Sequence, residues 1–256
     1  RDVAPSRGLG DVYKRQNLSF SYSGAARDYA LRNIDIDIPG QKVTAIVGES
    51  GCGKTTLLKL IQGFYLPSEG CVKVGDVNLN LINPHLWRKS TGSVMQESFI
   101  FSDTIANNIA LSTDDVDVAR MLHAAQMANI SDFIASLPLG YNTRIGMEGN
   151  GISAGQRQRI LLARAIYKDP EFMFFDEATN SLDATNERII MNNLRKCYEG
   201  KTVIISAHRL STIKDADQII VLHQGKVVEQ GTHEELLQAR GYYFKLVENQ
   251  MNTNTL

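Results

Sequence analysis

The chain has 256 residues, enough for one large domain or for a domain with a subdomain. Its 27 basic and 28 acidic residues give a formal net charge of -1, so it has no basic footprint for nucleic acid, and we expect no nucleic-acid partner. Its three scattered cysteines are too few for a disulfide framework or a metal cluster, and no apolar run is long enough to span a bilayer.

The first sixteen residues differ in character from the rest. Arg1 to Gln16 is rich in Arg, Gly and Asp and shows little periodicity. The part from Gly8 onwards resembles a translated cloning or adaptor sequence, and a disordered lead-in is the alternative. We therefore expect residues 1–16 to be non-native or disordered, and the folded domain to cover residues 17–256.

Strand patterns occupy the region from residue 17 to about residue 80. Phe20 and Tyr22 fall on one face of a strand, and residues 34–38 alternate strictly between Ile and Asp. Short apolar runs cover residues 43–47 and 72–74. We expect these strands to form a sheet around the glycine-rich loop that follows residue 47.

That loop fits the phosphate-binding pattern G-x-x-x-x-G-K-[ST] with Gly48, Glu49, Ser50, Gly51, Cys52, Gly53, Lys54 and Thr55. Its glycines allow successive backbone N–H groups to converge on phosphate oxygens at the positive end of the helix that follows. Lys54 can reach the outer phosphates of a nucleotide, the Thr55 hydroxyl can ligate Mg²⁺, and Thr56 belongs to the same binding segment. A plain glycine turn is the alternative, but the strand before the loop and the helix after it favour a site.

The next region, residues 86–155, loses the strand character. Apolar residues recur there at helical spacing, at Val116, Ala119, Leu122, Ala125 and Ala128. We expect an inserted helical subdomain over residues 86–155, and a catalytic core over residues 17–85 and 156–256.

From residue 156 onwards helix and strand patterns alternate, which predicts a mainly parallel sheet. Strands are predicted at 172–175, 203–205 and 219–222, and helices from about 156 and near 186–197.

Two acidic residues, Asp176 and Glu177, directly follow the first of these strands. Ligands of open parallel sheets bind at the carboxyl ends of strands, so both acids are expected beside the phosphate loop. Asp176 would hold Mg²⁺ through its water shell, and Glu177 would polarise the water that attacks the terminal phosphate. Helix capping is the alternative role for such a pair.

The segment Ser153, Ala154, Gly155 and Gln156 allows two interpretations. A serine followed three residues later by glutamine is the pattern of a capping box at the start of a helix. Glycines at 149, 151 and 155 leave that helix start exposed, which is also typical of an anion-binding site.

Taken together and in this order, the phosphate loop, Gln96, the Ser153–Gln156 signature, Asp176-Glu177, Asp183 and His208 resemble the nucleotide-binding domain of an ATP-binding cassette (ABC) transporter. The resemblance covers residue 17 to the end. It implies an α/β, P-loop NTPase fold of the ABC type, with a mainly parallel core sheet, an N-terminal antiparallel β-subdomain and the inserted helical subdomain. It also implies a head-to-tail pair of domains, in which each signature closes on ATP held by the partner.

The resemblance assigns further roles one residue at a time. Tyr22 matches the aromatic residue that stacks on adenine, and a core position is its alternative. Gln96 matches a glutamine that senses Mg²⁺ and the membrane partner. Asp183 matches an acid that links the two sites of the dimer, with a helix N-cap as the alternative. His208 matches the switch that contacts the terminal phosphate.

Two positions depart from the usual pattern. Ala154 replaces the first glycine of the signature, and we expect activity to survive this change. Cys52 stands where serine is frequent, so the sequence predicts a thiol beside the phosphates and sensitivity to alkylation.

A finer resemblance, in the segments 61–65, 100–109 and 139–143, is to bacterial exporters whose ATPase is fused behind a membrane domain, particularly those with an N-terminal peptidase. We therefore expect an Mg-dependent ATPase that uses ATP and Mg²⁺, pairs as a homodimer, and acts at the cytoplasmic face of a bacterial membrane on a transmembrane domain encoded upstream. The alternatives are a soluble cassette ATPase acting on DNA or ribosomes, and a nucleotide-binding regulatory module without turnover.

Overall fold

The computed structural model describes residues 12–23, 28–112, 116–146, 151–207, 209 and 213–253, without the side chains of residues 12–16, 184, 252 and 253. The chain divides into two compact units, one formed by residues 1–91 and 200–256 and the other by residues 92–199. In the described part of the chain, every helix is too short or too polar to cross a bilayer.

The strands, in chain order, are β1 (Val12–Ser21), β2 (Tyr29–Pro39), β3 (Val43–Val47), β4 (Glu69–Val74), β5 (Val77–Asn78), β6 (Thr91–Val94), β7 (Asp103–Thr104), β8 (Arg144–Ile145), β9 (Phe172–Asp176), β10 (Thr202–Ser206), β11 (Gln218–His223) and β12 (Lys226–Gly231). The α-helices are α1 (Lys54–Ile61), α2 (Pro84–Ser90), α3 (Ile105–Ala110), α4 (Val118–Met127), α5 (Ser131–Ser136), α6 (Ala154–Lys168), α7 (Ala184–Cys197), α8 (His233–Ala239) and α9 (Tyr242–Thr253). Short 3₁₀ turns cover Leu79–Leu81 and Gly140–Asn142.

The first unit contains an antiparallel sheet with the strand order β2-β1-β4-β5. The alternation in β2 has the predicted effect, because Ile34, Ile36 and Ile38 are buried whereas Asp35 and Asp37 are exposed. This sheet is the antiparallel part of the predicted fold.

Strand β1 begins at Val12, before the domain boundary expected at residue 17. Antiparallel pairing continues through this segment, with Arg15 opposite Ile36 of β2 and Val72 of β4. The expectation of a wholly disordered lead-in therefore does not match residues 12–16, and residues 1–11 lie outside the described part.

The core sheet of the first unit is built on β3. Strands β10 and β11 flank β3 and run parallel to it, and β12 continues the sheet antiparallel to β11. Strand β10 is buried at all five positions, which is typical of a strand covered on both faces. Because the strands are parallel, β3 and its neighbours end at the same edge, where the glycine-rich loop leaves β3.

The second unit is mainly helical, and helix α6 packs against α3 and α4. Strands β6 and β9 are neighbours in its sheet, and β7 pairs with β8 in a short antiparallel ribbon. Helix α4 lies in the region of predicted helical spacing, but its buried residues are Met121, Ala124 and Ala125, whereas Leu122 is 47% exposed. Of the predicted positions, Ala125 and Ala128 are buried whereas Ala119 and Leu122 are exposed, so the spacing located the helix but predicted its packing face only in part.

Candidate nucleotide-binding site

The glycine-rich loop joins the end of β3 to the start of α1 in the first unit. Gly48 has a φ of +151°, and a Cβ atom there would lie 2.2 Å from the carbonyl oxygen of Leu222. Gly53, the N-cap of α1, has a φ of +109°, and its Cβ would lie 2.7 Å from Leu31 Cδ2. Both positions therefore require glycine for conformation as well as for space.

Lys54 is folded back over this loop. Its Nζ donates hydrogen bonds of 2.9 Å to the carbonyl oxygens of Gly48 and Glu49, and the residue is only 5% exposed. The ammonium group and the N-terminal end of α1 are thus at the same place, which favours a bound anion. The neighbouring residues Glu49, Ser50 and Gly51 are exposed, and Thr55 is half-buried.

Tyr22 is connected to the same helix. Its hydroxyl lies 2.9 Å from the hydroxyl of the buried Thr56, and its ring packs edge-on against Phe20 and Tyr65. Even so, Tyr22 is 62% exposed, so it is not a core residue. An exposed ring anchored at its hydroxyl and one edge suits stacking on a base, which stays a prediction.

Cys52 differs from the expectation of a reactive thiol. The residue is 5% exposed, and its backbone carbonyl accepts a hydrogen bond from Gly225 N. Burial raises the pKa of the Cys52 thiol, and the Lys54 ammonium offsets this only in part. Because the thiolate is the reactive form, the predicted sensitivity to alkylation is not supported.

In the second unit, the two acidic residues stand where β9 ends. Asp176 is the last residue of the strand and is 1% exposed, whereas Glu177 is half-buried and has a φ of +53°. Glu177 Oε2 accepts a 2.6 Å hydrogen bond from Asn180 Nδ2. A positive φ is uncommon for glutamate, so the chain turns sharply here. The next helix begins at Ala184 with Asp183 as its N-cap, so the capping alternative for Asp176 and Glu177 is wrong.

The signature segment opens α6 with a complete capping box. Ser153 Oγ accepts from Gln156 N at 3.2 Å, and Gln156 Oε1 accepts from Ser153 N at 2.8 Å. The predicted capping box is confirmed, and the anion-binding role stays a prediction. Ser153 and Ala154 are exposed, and a Cβ atom on Gly155 would lie 3.3 Å from the carbonyl oxygen of Ser181.

Asp183 caps helix α7. Its carboxylate accepts hydrogen bonds from Thr185 N, Asn186 N and Asn186 Nδ2 at 3.1, 3.0 and 2.6 Å. These bonds, the one from the Asn186 side chain first, hold the pKa of Asp183 below its usual range. The capping alternative is therefore correct in structure, and the role between two sites stays a prediction.

The structure says less about two other predicted site residues, Gln96 and His208. Gln96 is exposed and lies just after β6, in a turn where Ser98 Oγ accepts from Met95 N. His208 lies outside the described residues. The sequence did not single out Asn180 or Asn186, although each stands three residues after a predicted acid, at the spacing of a turn or a first helical turn.

Comparison with known proteins agrees with this arrangement. The model of the family described as "ABC transporter" matches residues 31–180, and the chain belongs to that family. It is 45% identical over 244 residues to the leukotoxin translocation ATP-binding protein LktB of Mannheimia glucosida and of Bibersteinia trehalosi. These alignments cover 95% of this chain but only 34% of each relative, so the chain spans about a third of their length.

A solved structure described as a bacterial Atm1-family ABC exporter with ATP bound superposes with a TM-score of 0.91 and 37% identity. The match covers 98% of this chain and 44% of the exporter chain. The predicted ABC-type fold and the predicted class, an ABC nucleotide-binding domain, are therefore confirmed.

Proposed function

We propose that the chain is the ATP-hydrolysing motor domain of a bacterial membrane exporter. Binding of ATP closes two copies of the domain, water then attacks the terminal phosphate, and reopening drives an attached membrane domain. The proposal rests mainly on the geometry of the loop between β3 and α1. In this loop, Lys54 Nζ lies 2.9 Å from two loop carbonyl oxygens at the N-terminus of a helix. This is a ready-made site for the phosphates of a nucleotide.

Within this proposal, each residue acts through its own chemistry. The Lys54 ammonium neutralises phosphate charge, the backbone N–H groups around Gly51 and Gly53 bind phosphate oxygens, and the exposed Tyr22 ring stacks on adenine. The Glu177 carboxylate accepts a proton from the attacking water. His208 contacts the terminal phosphate.

The donor groups in the chain fit Mg²⁺. The Thr55 hydroxyl, the Gln96 amide oxygen and the Asp176 carboxylate are hard oxygen ligands, which is the chemistry that Mg²⁺ prefers. We propose that these three residues hold the ion, directly or through water. When bound, Mg²⁺ neutralises charge that develops on the phosphates.

Two copies would form the active pair. The exposed Ser153 and Ala154 lie at the N-terminus of α6, where an anion is favoured, and Gly155 and Gln156 complete that helix start. We propose that they contact the ATP held by the partner's phosphate loop, with Asp183 linking the two sites. A single chain with a full set of motifs allows two identical sites in a homodimer.

The transport role is proposed from the relatives. They are named for leukotoxin translocation and the matched structure for export, which favours transport over a soluble ATPase acting on DNA or ribosomes. We propose a transmembrane domain fused upstream, a position at the cytoplasmic face of the inner membrane, and a protein or peptide cargo. Reading the source gene upstream of the Gln16 codon tests this: in-frame apolar spans support it, and a start codon near Leu18 overturns the fusion.

The motor function is tested with the chain itself and the variant Glu177→Gln. We expect Mg²⁺-dependent ATP hydrolysis by the unmodified chain and a loss of about a hundredfold or more in the variant. We also expect the variant to form a stable dimer when ATP is added, measured by light scattering during size-exclusion chromatography.

Glu171→Gln is the matched control, because Glu171 is exposed and directly precedes β9, the strand that Glu177 follows. It should hydrolyse ATP at the unmodified rate. A chain that binds no ATP overturns the proposed function. A Glu177→Gln variant that hydrolyses at the unmodified rate removes Glu177 as the base.

A further inference from the structure

A chain of hydrogen bonds in the second unit connects the signature helix to the cap of the next helix. Arg159 on α6 donates from Nε to the Gly155 carbonyl at 3.4 Å and from a guanidinium nitrogen to the Asn129 carbonyl at 2.6 Å. Asn129 Nδ2 donates to Asn186 Oδ1 at 2.7 Å, and Asn186 Nδ2 donates to Asp183 Oδ2 at 2.6 Å.

We propose that Arg159, Asn129 and Asn186 form a positioning relay that fixes Asp183 relative to the signature segment, so that both present one rigid surface to the partner domain. The proposal rests on the proposed function, in which the signature and Asp183 act across a dimer. The relay residues themselves are assigned no contact with nucleotide.

The direction of the relay follows from its chemistry. An ionised carboxylate only accepts hydrogen bonds, so Asn186 must turn its Nδ2 towards Asp183 and its Oδ1 towards Asn129. Asn129 must then donate. Each amide orientation is therefore determined by the next residue, and a change at Asn129 affects Asp183 through Asn186 without touching it.

Two further observations support a rigid connection. The Gly155 Cα faces the backbone of the segment before Asp183, because a Cβ there would lie 3.3 Å from Ser181 O and 3.9 Å from Leu182 Cδ2. The Arg159 side chain is half-buried, and burial lowers its pKa while the charge of Asp183 opposes that shift. A half-buried guanidinium is costly unless its donors are satisfied, which gives the connection a defined geometry.

The variant Asn129→Asp tests the relay at constant size. Its carboxylate only accepts, so Asn186 Oδ1 would face a second acceptor with no hydrogen between them. Turning the Asn186 amide to donate there would withdraw its Nδ2 from Asp183, so the relay fails in either orientation. The matched control is Asn193→Asp, because Asn193 is also half-buried, and its Nδ2 donates to the Met127 carbonyl at 3.1 Å without reaching Asp183.

The first measurement is hydrogen exchange of the chain without nucleotide, followed in peptides covering residues 178–187. We expect exchange there to accelerate about tenfold in Asn129→Asp and to stay within about twofold in Asn193→Asp. Equal exchange in the two variants overturns the relay whether or not the chain hydrolyses ATP, so this outcome is distinct from failure of the proposed function.

The second measurement is steady-state ATP hydrolysis. Asn129→Asp and Asn186→Ala should each lower kcat about tenfold with little change in KM, and the double variant should be no slower than either one, because a broken relay cannot be broken twice. Asn193→Asp should retain the unmodified kcat. Multiplicative losses in the double variant, or an unchanged kcat in Asn129→Asp, overturn the proposal that the relay positions Asp183 for turnover.

Discussion

The Nζ atom of Lys54 lies 2.9 Å from the carbonyl oxygen of Gly48, and the same nitrogen donates to Glu49 O at 2.9 Å. A buried ammonium group needs such acceptors, since an unpaired charge at 5% exposure would be strongly unfavourable. The loop carbonyls therefore hold the lysine at the helix N-terminus. The residue proposed to neutralise phosphate charge thus also stabilises the conformation of the loop.

This arrangement predicts that Lys54→Ala weakens ATP binding about tenfold or more, because the charge opposite the phosphates is lost. Lys54→Arg should fail to restore binding, since a planar guanidinium has a different shape and hydrogen-bond geometry from a compact ammonium. Isothermal titration with ATP measures both. Lys59→Ala is the control, because Lys59 lies on the same helix and the net charge changes equally; a comparable loss there would show that only overall charge matters.

Because the Tyr22 ring is exposed, we predict that the ring affects the KM for ATP and that the hydroxyl has little effect on it. Tyr22→Ala should raise the KM for ATP about tenfold, because stacking on a base is lost. Tyr22→Phe keeps the ring and loses only the hydrogen bond with Thr56, so its KM should stay within about twofold of the unmodified value. Hydrolysis rates at varied ATP concentration decide this. Equal KM values for the two variants would contradict a stacking role.

Burial of Cys52 predicts slow chemical modification. Burial raises the pKa of its thiol, so at pH 8 little of it is thiolate, and the side chain is 5% exposed. Cys71 and Cys197 are more exposed and should react with iodoacetamide about tenfold faster or more. Mass spectrometry of peptides gives the three rates. Preferential labelling of Cys52 in the folded chain would show that the loop opens and that the thiol is reactive after all.

The phosphate loop and β2 could be predicted because their constraints are local. The Ile and Asp alternation of residues 34–38 is repeated in the burial of β2, and the strand–loop–helix order around Lys54 is the one that the motif requires. The sequence pattern did not predict strand β12. It is an edge strand without a fully buried residue, so its sequence shows little alternation of apolar and polar residues. Helix α8 was missed although Thr232 and Glu235 form a capping box that the sequence displays.

The contacts of the relay could not be predicted in the same way. Asn129 and Asn186 are 57 residues apart, and neither lies in a motif, so only the folded chain brings them together. The packing face of α4 was predicted only in part. Ala125 and Ala128 are buried as the spacing predicts, but tertiary contacts bury Met121 and Ala124 and leave Leu122 exposed. Local chemistry thus predicted the elements, whereas long-range packing determined which polar groups meet.

The depressed pKa of Asp183 predicts how helix α7 responds to acid. The hydrogen bonds from Asn186 and Thr185 favour the ionised carboxylate, so the folded-state pKa lies below the unfolded value of about 3.9. The stabilisation is therefore fully present above the unfolded pKa and is lost as pH falls through the folded pKa.

Asp183→Asn keeps an oxygen acceptor for the cap but does not titrate. The difference in unfolding free energy between the unmodified chain and this variant should be constant from about pH 7 to pH 5 and should shrink below about pH 4. Urea unfolding across this range measures the difference, and a difference independent of pH would show that the charge of Asp183 does not contribute to the cap.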